Sequence, residues 1–265
     1  HEPWYNGVLV TEDTLLVIDG RACNLQLYSR RDGKLLSTSH RLESGPKGVC
    51  LISKTEVAVC LWESKIVIMS FKSVDDVKLV KTLNVRTGID KCYSVAKLNS
   101  SDKLVVSGWK RNDMLYWCVV SLIDGSVYST HKVCKGYISS HIHLAIKENT
   151  LYISCRTDIS TDNGVYAYDI FNPHTHKFLY QHQKFTPGSL VVDRRNFIYV
   201  CAKDSNRMRQ LTDSGQLVTI HKVSSSLHCI FYDDQNGVLY TTSWKSKIIT
   251  LYRLEYLHQP GVPIE

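Results

Sequence analysis

Asn196-Phe-Ile-Tyr-Val-Cys-Ala-Lys-Asp-Ser-Asn206-Arg-Met-Arg-Gln-Leu211 is the stretch that decides the fold of this 265-residue chain. Its first half is a short run of β-branched and aromatic residues. A polar connector follows, then a second alternating strand, and Asp213-Ser214-Gly215-Gln216 supplies a turn signal after it. Helical periodicity is absent from the stretch.

Five more segments share this shape. The first strands begin at Thr14, Glu56, Lys103, Thr150, Asn196 and Gly237, so successive starts lie 42, 47, 47, 46 and 41 residues apart. A period of ~40 to 50 residues is that of a four-stranded propeller blade. The partner strands recur at similar offsets, beginning at Leu25, Lys65, Leu115, Val165, Met208 and Ile248. Innermost strands precede the repeats, as in Gly48-Val-Cys-Leu-Ile, Tyr93-Ser-Val-Ala-Lys-Leu, His143-Leu-Ala-Ile, Ser189-Leu-Val-Val and His228-Cys-Ile-Phe-Tyr. Asp32-Gly33 and Asp124-Gly125 mark further hairpins. The expectation is an all-β, six-bladed β-propeller of four-stranded antiparallel blades, with residues 1–265 forming one domain.

Composition agrees with a packed fold. Hydrophobic residues make up 43% and charged residues 22%, which excludes general disorder. The longest apolar run, Met114 to Val120, is far shorter than the roughly 20 residues of a spanning helix, so no membrane association is expected. Nine cysteines, odd in number and never spaced Cys-x-x-Cys, read as buried thiols of a reducing compartment, hence a cytoplasmic location. Starting at His1 rather than Met, the sequence is expected to be an excised domain or a processed chain.

Val17-Ile18-Asp19 through Asn24-Leu25-Gln26-Leu27-Tyr28, and Ile198 through Leu211 with its Asn206-Arg207 pair, resemble the NHL repeat. Elsewhere the pair is replaced, as by Glu63-Ser64-Lys65 or Lys245-Ser246-Lys247. In this diverged form the chain is similar to the C-terminal propeller of tripartite-motif (TRIM) proteins. The resemblance implies a module that recognises RNA or protein and serves as the substrate-recognition part of a ubiquitin ligase. The ligase chemistry of that family belongs to a RING domain, whose cysteine and histidine pairs do not occur in these residues, so no enzyme activity is expected of this chain. Propellers of this kind usually complete their last blade with a strand from the opposite terminus. The expectation is that residues 2 to 6, anchored by Trp4 and Tyr5, pair with Ile248 to Tyr252; the tail after Leu254 is the alternative.

Loop topology sorts the charge. Connectors between second and third strands, and between blades, share one face; the other hairpin turns share the opposite one. The first face collects fourteen bases against eight acids, and the opposite face twelve acids against nine bases. The net +7 is therefore expected to be polarised, with one face attracting polyanions or phosphorylated segments. On that face Lys110, Arg111, Arg156, Lys203, Arg207, Lys245 and Lys247 are candidate phosphate contacts, and Trp109 and Trp244, directly before connectors, are candidate base-stacking platforms; Trp62 holds the equivalent position. A tryptophan recurring at one repeat position also suits a wedge between blades. Single-stranded or stem-loop RNA is expected as partner, or else a protein or phosphopeptide, with no small-molecule substrate.

Two other site chemistries compete with this reading. His141, His143 and His228 fall on innermost strands, where three imidazoles would suit zinc, but their separation across a channel favours ordinary hydrogen-bonded histidines. Calcium-dependent lactonase propellers gather acids and amides around the channel, whereas these innermost strands begin with Gly, Ser, Tyr and His. No cofactor or metal is expected.

Overall fold

The second strand of every blade is a short, nearly unbroken buried run, such as Leu15-Leu-Val-Ile18 or Leu104-Val-Val106; successive side chains point to opposite faces, so both faces of each sheet are buried once neighbouring sheets stack against it. A computed structural model of the chain describes residues 5–11, 13–71, 76–85, 88–99, 101–111, 114–135, 142–156, 163–181, 186–202, 205–223, 227–243 and 248–254; the side chains of residues 38, 39, 134 and 135 are not described. It is an all-β, six-bladed propeller whose strands run consecutively and antiparallel from the centre outward.

Blade 1 holds β1 (Tyr5–Val10), β2 (Thr14–Asp19), β3 (Asn24–Ser29) and β4 (Leu35–Arg41). Blade 2 holds β5 (Pro46–Ser53), β6 (Glu56–Leu61), β7 (Lys65–Phe71) and β8 (Val77–Asn84). Blade 3 holds β9 (Lys91–Lys97), β10 (Lys103–Lys110), β11 (Met114–Ser121) and β12 (Val127–Lys135). Blade 4 holds β13 (Ile142–Lys147), β14 (Thr150–Cys155), β15 (Gly164–Asp169) and β16 (His176–Tyr180), and blade 5 holds β17 (Pro187–Val192), β18 (Ile198–Ala202), β19 (Arg207–Leu211) and β20 (Leu217–Lys222). Blade 6, among the described residues, has three strands: β21 (Leu227–Asp233), β22 (Val238–Ser243) and β23 (Ile249–Arg253).

The second strands begin where the sequence places them in four blades. In the other two, β18 starts two residues late and β22 one. Asn196 and Gly237 take positive φ, 66° and 64°, and so belong to the preceding turns. The Asp-Gly and Asp-x-Gly signals are genuine turns too: Gly33, Gly125 and Gly215 have φ of 68°, 79° and 87°.

The core is a ring of six clusters, one per seam between blades. That between blades 3 and 4, for example, buries Leu115, Trp117, Leu151 and Ile153, and the last, between blades 6 and 1, buries Val8, Leu15, Val17 and Tyr240. The innermost strands touch their neighbours all the way round, including β21 against β1.

Ring closure differs from the sequence expectation. Tyr5 and Asn6 open β1, which pairs with β2 as the innermost strand of blade 1, Tyr5 opposite Asp19. They do not lie beside β23, which pairs with β22. Residues 2 to 4, with Trp4, and the tail after Leu254 lie outside the described residues. Among the described residues the seam is held by the apolar cluster just named, a hydrogen bond of 3.4 Å from Thr242 Oγ1 to the Tyr5 carbonyl, and polar pairs at both ends.

Candidate anion-binding face

The β2–β3, β6–β7, β10–β11, β14–β15 and β18–β19 connectors and the links between blades emerge on one face, as the strand directions require. Its described bases are Arg21, Lys47, Lys65, Lys91, Lys110, Arg111, Arg156 and Arg207; its described acids are Asp19, Glu43, Glu63 and Asp90. Three of these acids already serve the fold. Asp19, buried, accepts hydrogen bonds from the backbone N–H groups of Arg21 and Ala22. Glu43 pairs with Lys65 at 2.5 Å. Asp90 Oδ2 accepts the backbone N–H of Arg111 at 2.8 Å, tying the β10–β11 connector to the link between blades 2 and 3.

The described phosphate-contact candidates span three blades, Lys110 and Arg111 in blade 3, Arg156 in blade 4 and Arg207 in blade 5. Arg111 and Arg207 are exposed, and Lys110 and Arg156 half-buried; Lys110 Nζ sits 5.4 Å above the Tyr116 ring. Lys203, Lys245, Lys247 and Trp244 lie outside the described residues. Trp109 is a correction. Only 8% exposed, it packs in the core between blades 3 and 4, so its ring offers a ligand no open face. The β10 strand runs on to Lys110, which carries the indole inside the sheet rather than onto a connector.

Trp62 draws cations together. Lys47 Nζ lies 4.9 Å and Lys91 Nζ 4.4 Å from its ring, Lys91 is also 5.4 Å from Trp109, and Tyr93 meets Trp62 edge-on at 5.4 Å. Lys47 and Lys91 come from innermost strands of adjacent blades, and Trp62 from the end of β6 between them. Burial pushes the Lys47 ammonium below the usual lysine range. The sequence places these residues on the basic face; only the stacking of β5 on β9 makes them one cluster.

The cluster stands at the mouth of the central channel. Asn6, Lys47, Tyr93, His143 and His228 line that mouth with Ile142. Asn6 Nδ2 donates to the Pro46 carbonyl at 2.7 Å, which turns its Oδ1 toward His228 Nε2, 3.0 Å away. An amide oxygen only accepts, so Nε2 carries the proton. Burial raises the Tyr93 hydroxyl to about 12, keeping it protonated at neutral pH. Beyond the mouth runs a channel cavity of about 440 Å³ with an apolar waist of Val8, Val49, Val95 and Leu190 and no carboxylate among its lining residues. Among the described residues no three His, Cys, Asp or Glu side chains are gathered for a metal ion; His228 is bonded to Asn6, and His141 lies outside the described residues.

The opposite face carries a groove of about 680 Å³ where blades 1, 2 and 6 meet, lined by Phe71, Phe231, Arg30 and Asp233. Its strongest charges satisfy one another, Arg30 Nη2 meeting Asp233 Oδ2 at 2.6 Å.

With this geometry in hand, solved structures give the fold its relatives. The chain shares its architecture with known propellers. A luciferin-regenerating enzyme superposes with a TM-score of 0.69 at 16% identity, covering 90% of this chain and 83% of that one. The β-propeller domain of Cps50 (Swd1) from Myceliophteria thermophila gives 0.65 at 11%, covering 94% and 82%. A functionally unknown protein from Desulfotomaculum acetoxidans gives 0.63 at 14%, covering 88% and 73%. At these identities the likeness is one of fold. No protein-family model and no curated protein sequence matches the chain.

Proposed function

We propose that this propeller is a non-catalytic recognition module whose basic face binds an acidic or phosphorylated segment of a partner protein. One observation carries the choice of protein over RNA: the described tryptophans of that face are already engaged, Trp62 by two ammonium groups and Trp109 by the core. Single-stranded RNA draws much of its affinity from open aromatic rings, whereas an acidic peptide needs cations displayed on a rigid frame. The ring of antiparallel blades supplies that frame, so little ordering of the receptor opposes docking. The likeness to tripartite-motif propellers supports a role in presenting substrate to a ubiquitin ligase domain carried elsewhere.

Fluorescence anisotropy with a labelled decaglutamate and a labelled single-stranded decanucleotide RNA, each at two salt concentrations, tests the reading. The peptide should bind saturably, weaken as salt rises, and lose affinity on charge reversal at Arg111 and Arg207. Tighter binding of the RNA, with a steep salt slope, would replace this reading with nucleic-acid recognition. Binding of neither would end both.

A further inference from the structure

The channel mouth has a composition that the face as a whole lacks. Two ammonium groups from adjacent blades share one indole, and among the described residues neither takes part in an ion pair. None of the described residues lining the mouth is acidic: they are an amide, a lysine, a tyrosine, an isoleucine and two histidines, with the His228 Nε2–H donated to Asn6 Oδ1. Two cations brought together in a partly desolvated site repel each other, and that repulsion is relieved by an anion between or beside them. The neck itself is narrow, about 10 Å³, room for roughly one water-sized group, so an anion drawn to these ammonium groups would rest on the rim above it rather than within it. It opens inward onto the larger channel, with which it shares Asn6 and His143.

We infer that the rim of the mouth, where Lys47 and Lys91 meet Trp62 beside the lining residues Tyr93, His143 and His228, is a binding site for one compact oxyanion, a carboxylate or a phosphomonoester, contributed by the partner segment. The inference deepens the proposed function and rests on it for the source of the group: exposed Arg111 and Arg207 meet the length of the ligand, and the mouth takes a single terminal or side-chain anion. Lys47 and Lys91 supply the charge. Trp62 holds both ammonium groups by its π face and so keeps them available without neutralising them, which a carboxylate partner would not do.

The test uses the whole 265-residue chain, inorganic phosphate and acetate as probes, and calorimetry at constant ionic strength. Saturable binding of either probe, weakened at least tenfold in Lys47→Met and unchanged in Arg111→Ala, is the expected result; whichever probe binds tighter identifies the source as phosphoryl or carboxylate. Indole emission gives a second readout, since an anion drawing the ammonium groups off the ring should change it in the native chain and not in Trp62→Phe. Absence of saturation by both probes, or equal binding in Lys47→Met, overturns the site. Decaglutamate separates the two readings. Peptide binding sensitive to Arg111 but indifferent to Lys47 and to competing phosphate keeps the face and removes the site. Phosphate binding that depends on Lys47 without any peptide binding keeps the site and removes the face.

Discussion

Arg30 Nη2 bonds Asp233 Oδ2 at 2.6 Å across 203 residues of chain, joining the β3–β4 turn of blade 1 to the end of β21 in blade 6. The same guanidinium donates to the Tyr240 hydroxyl and the Thr11 carbonyl. Asp233 is buried and its Oδ1 also accepts the backbone N–H groups of Gln235 and Asn236. At the other end of the seam His228 meets Asn6, which reaches on to Pro46 in blade 2. First and last blades are thus stitched at both faces by side chains.

Loss of this stitch should loosen the ring. Removing one member of a largely buried pair strands its partner, at a cost of about 3 kcal/mol. Arg30→Ala should therefore lower the melting temperature by roughly 6 to 12 °C, on the scaling of a chain this size. A melting curve that coincides with the parent's would show that the apolar cluster closes the seam without help.

Lys47 makes a prediction of opposite sign. Its folded pKa is depressed by burial, so the protonated form is disfavoured in the native state relative to the unfolded chain. Stability from this group is fully present only above the ordinary lysine pKa and is lost as pH falls through the lowered folded value. Lys47→Met should be more stable than the parent at neutral pH, and the gain should shrink as pH rises toward about 10.4. Urea titrations at pH 7 and pH 10 measure it; an equal gain at both values would assign the effect to packing alone.

Gly108 permits the close approach of β9 to β10, at a bulge in their pairing. A Cβ there would collide with the Lys91 carbonyl oxygen, and would lie 2.6 Å from Ile89 Cδ1. Backbone cannot swing aside as a side chain does. Gly108→Ala should cost about 1 to 3 kcal/mol in chemical denaturation, and by displacing Lys91 it should also weaken phosphate binding at the channel mouth. An unchanged denaturation midpoint would mean that the two strands have room to part.

Thiol chemistry offers a map of burial. The eight described cysteines are free. Burial raises Cys60 and Cys118 to about 12 and lifts Cys92 and Cys201 above the usual thiol range. Cys23 stands in the β2–β3 connector and is only half-buried, so a reagent can reach its sulfur. Since the thiolate is the reactive form, iodoacetamide at pH 8 should alkylate Cys23 well before those four in the native chain, and all should react once unfolded. Peptide mapping by mass spectrometry reads this directly; early labelling of Cys60 or Cys118 would reveal a native state that opens at blades 2 and 3.

The six blades, the order of their strands and the turns at Gly33, Gly125 and Gly215 were legible in the sequence. These depend on local pattern: apolar alternation defines a strand, and a glycine free to adopt positive φ defines the turn. Strand direction also assigns each loop to a face, which is why the sequence could place the connectors together. What lay beyond reach depends on distance in sequence. Trp109 reads equally as a stacking platform before a connector or as a wedge between blades, and only the packing of blade 3 on blade 4 decides for the wedge. The expected pairing of the N-terminus with the last strand gave way to Tyr5 and Asn6 in the innermost strand of blade 1, closed against blade 6 by Asn6, Arg30 and their partners. Lys47, Trp62 and Lys91 are each unremarkable where they stand in the chain. Only the radial stacking of inner strands brings two ammonium groups onto one indole, and that is a property of how sheets pack, set by the sum of all six seams rather than by any one segment.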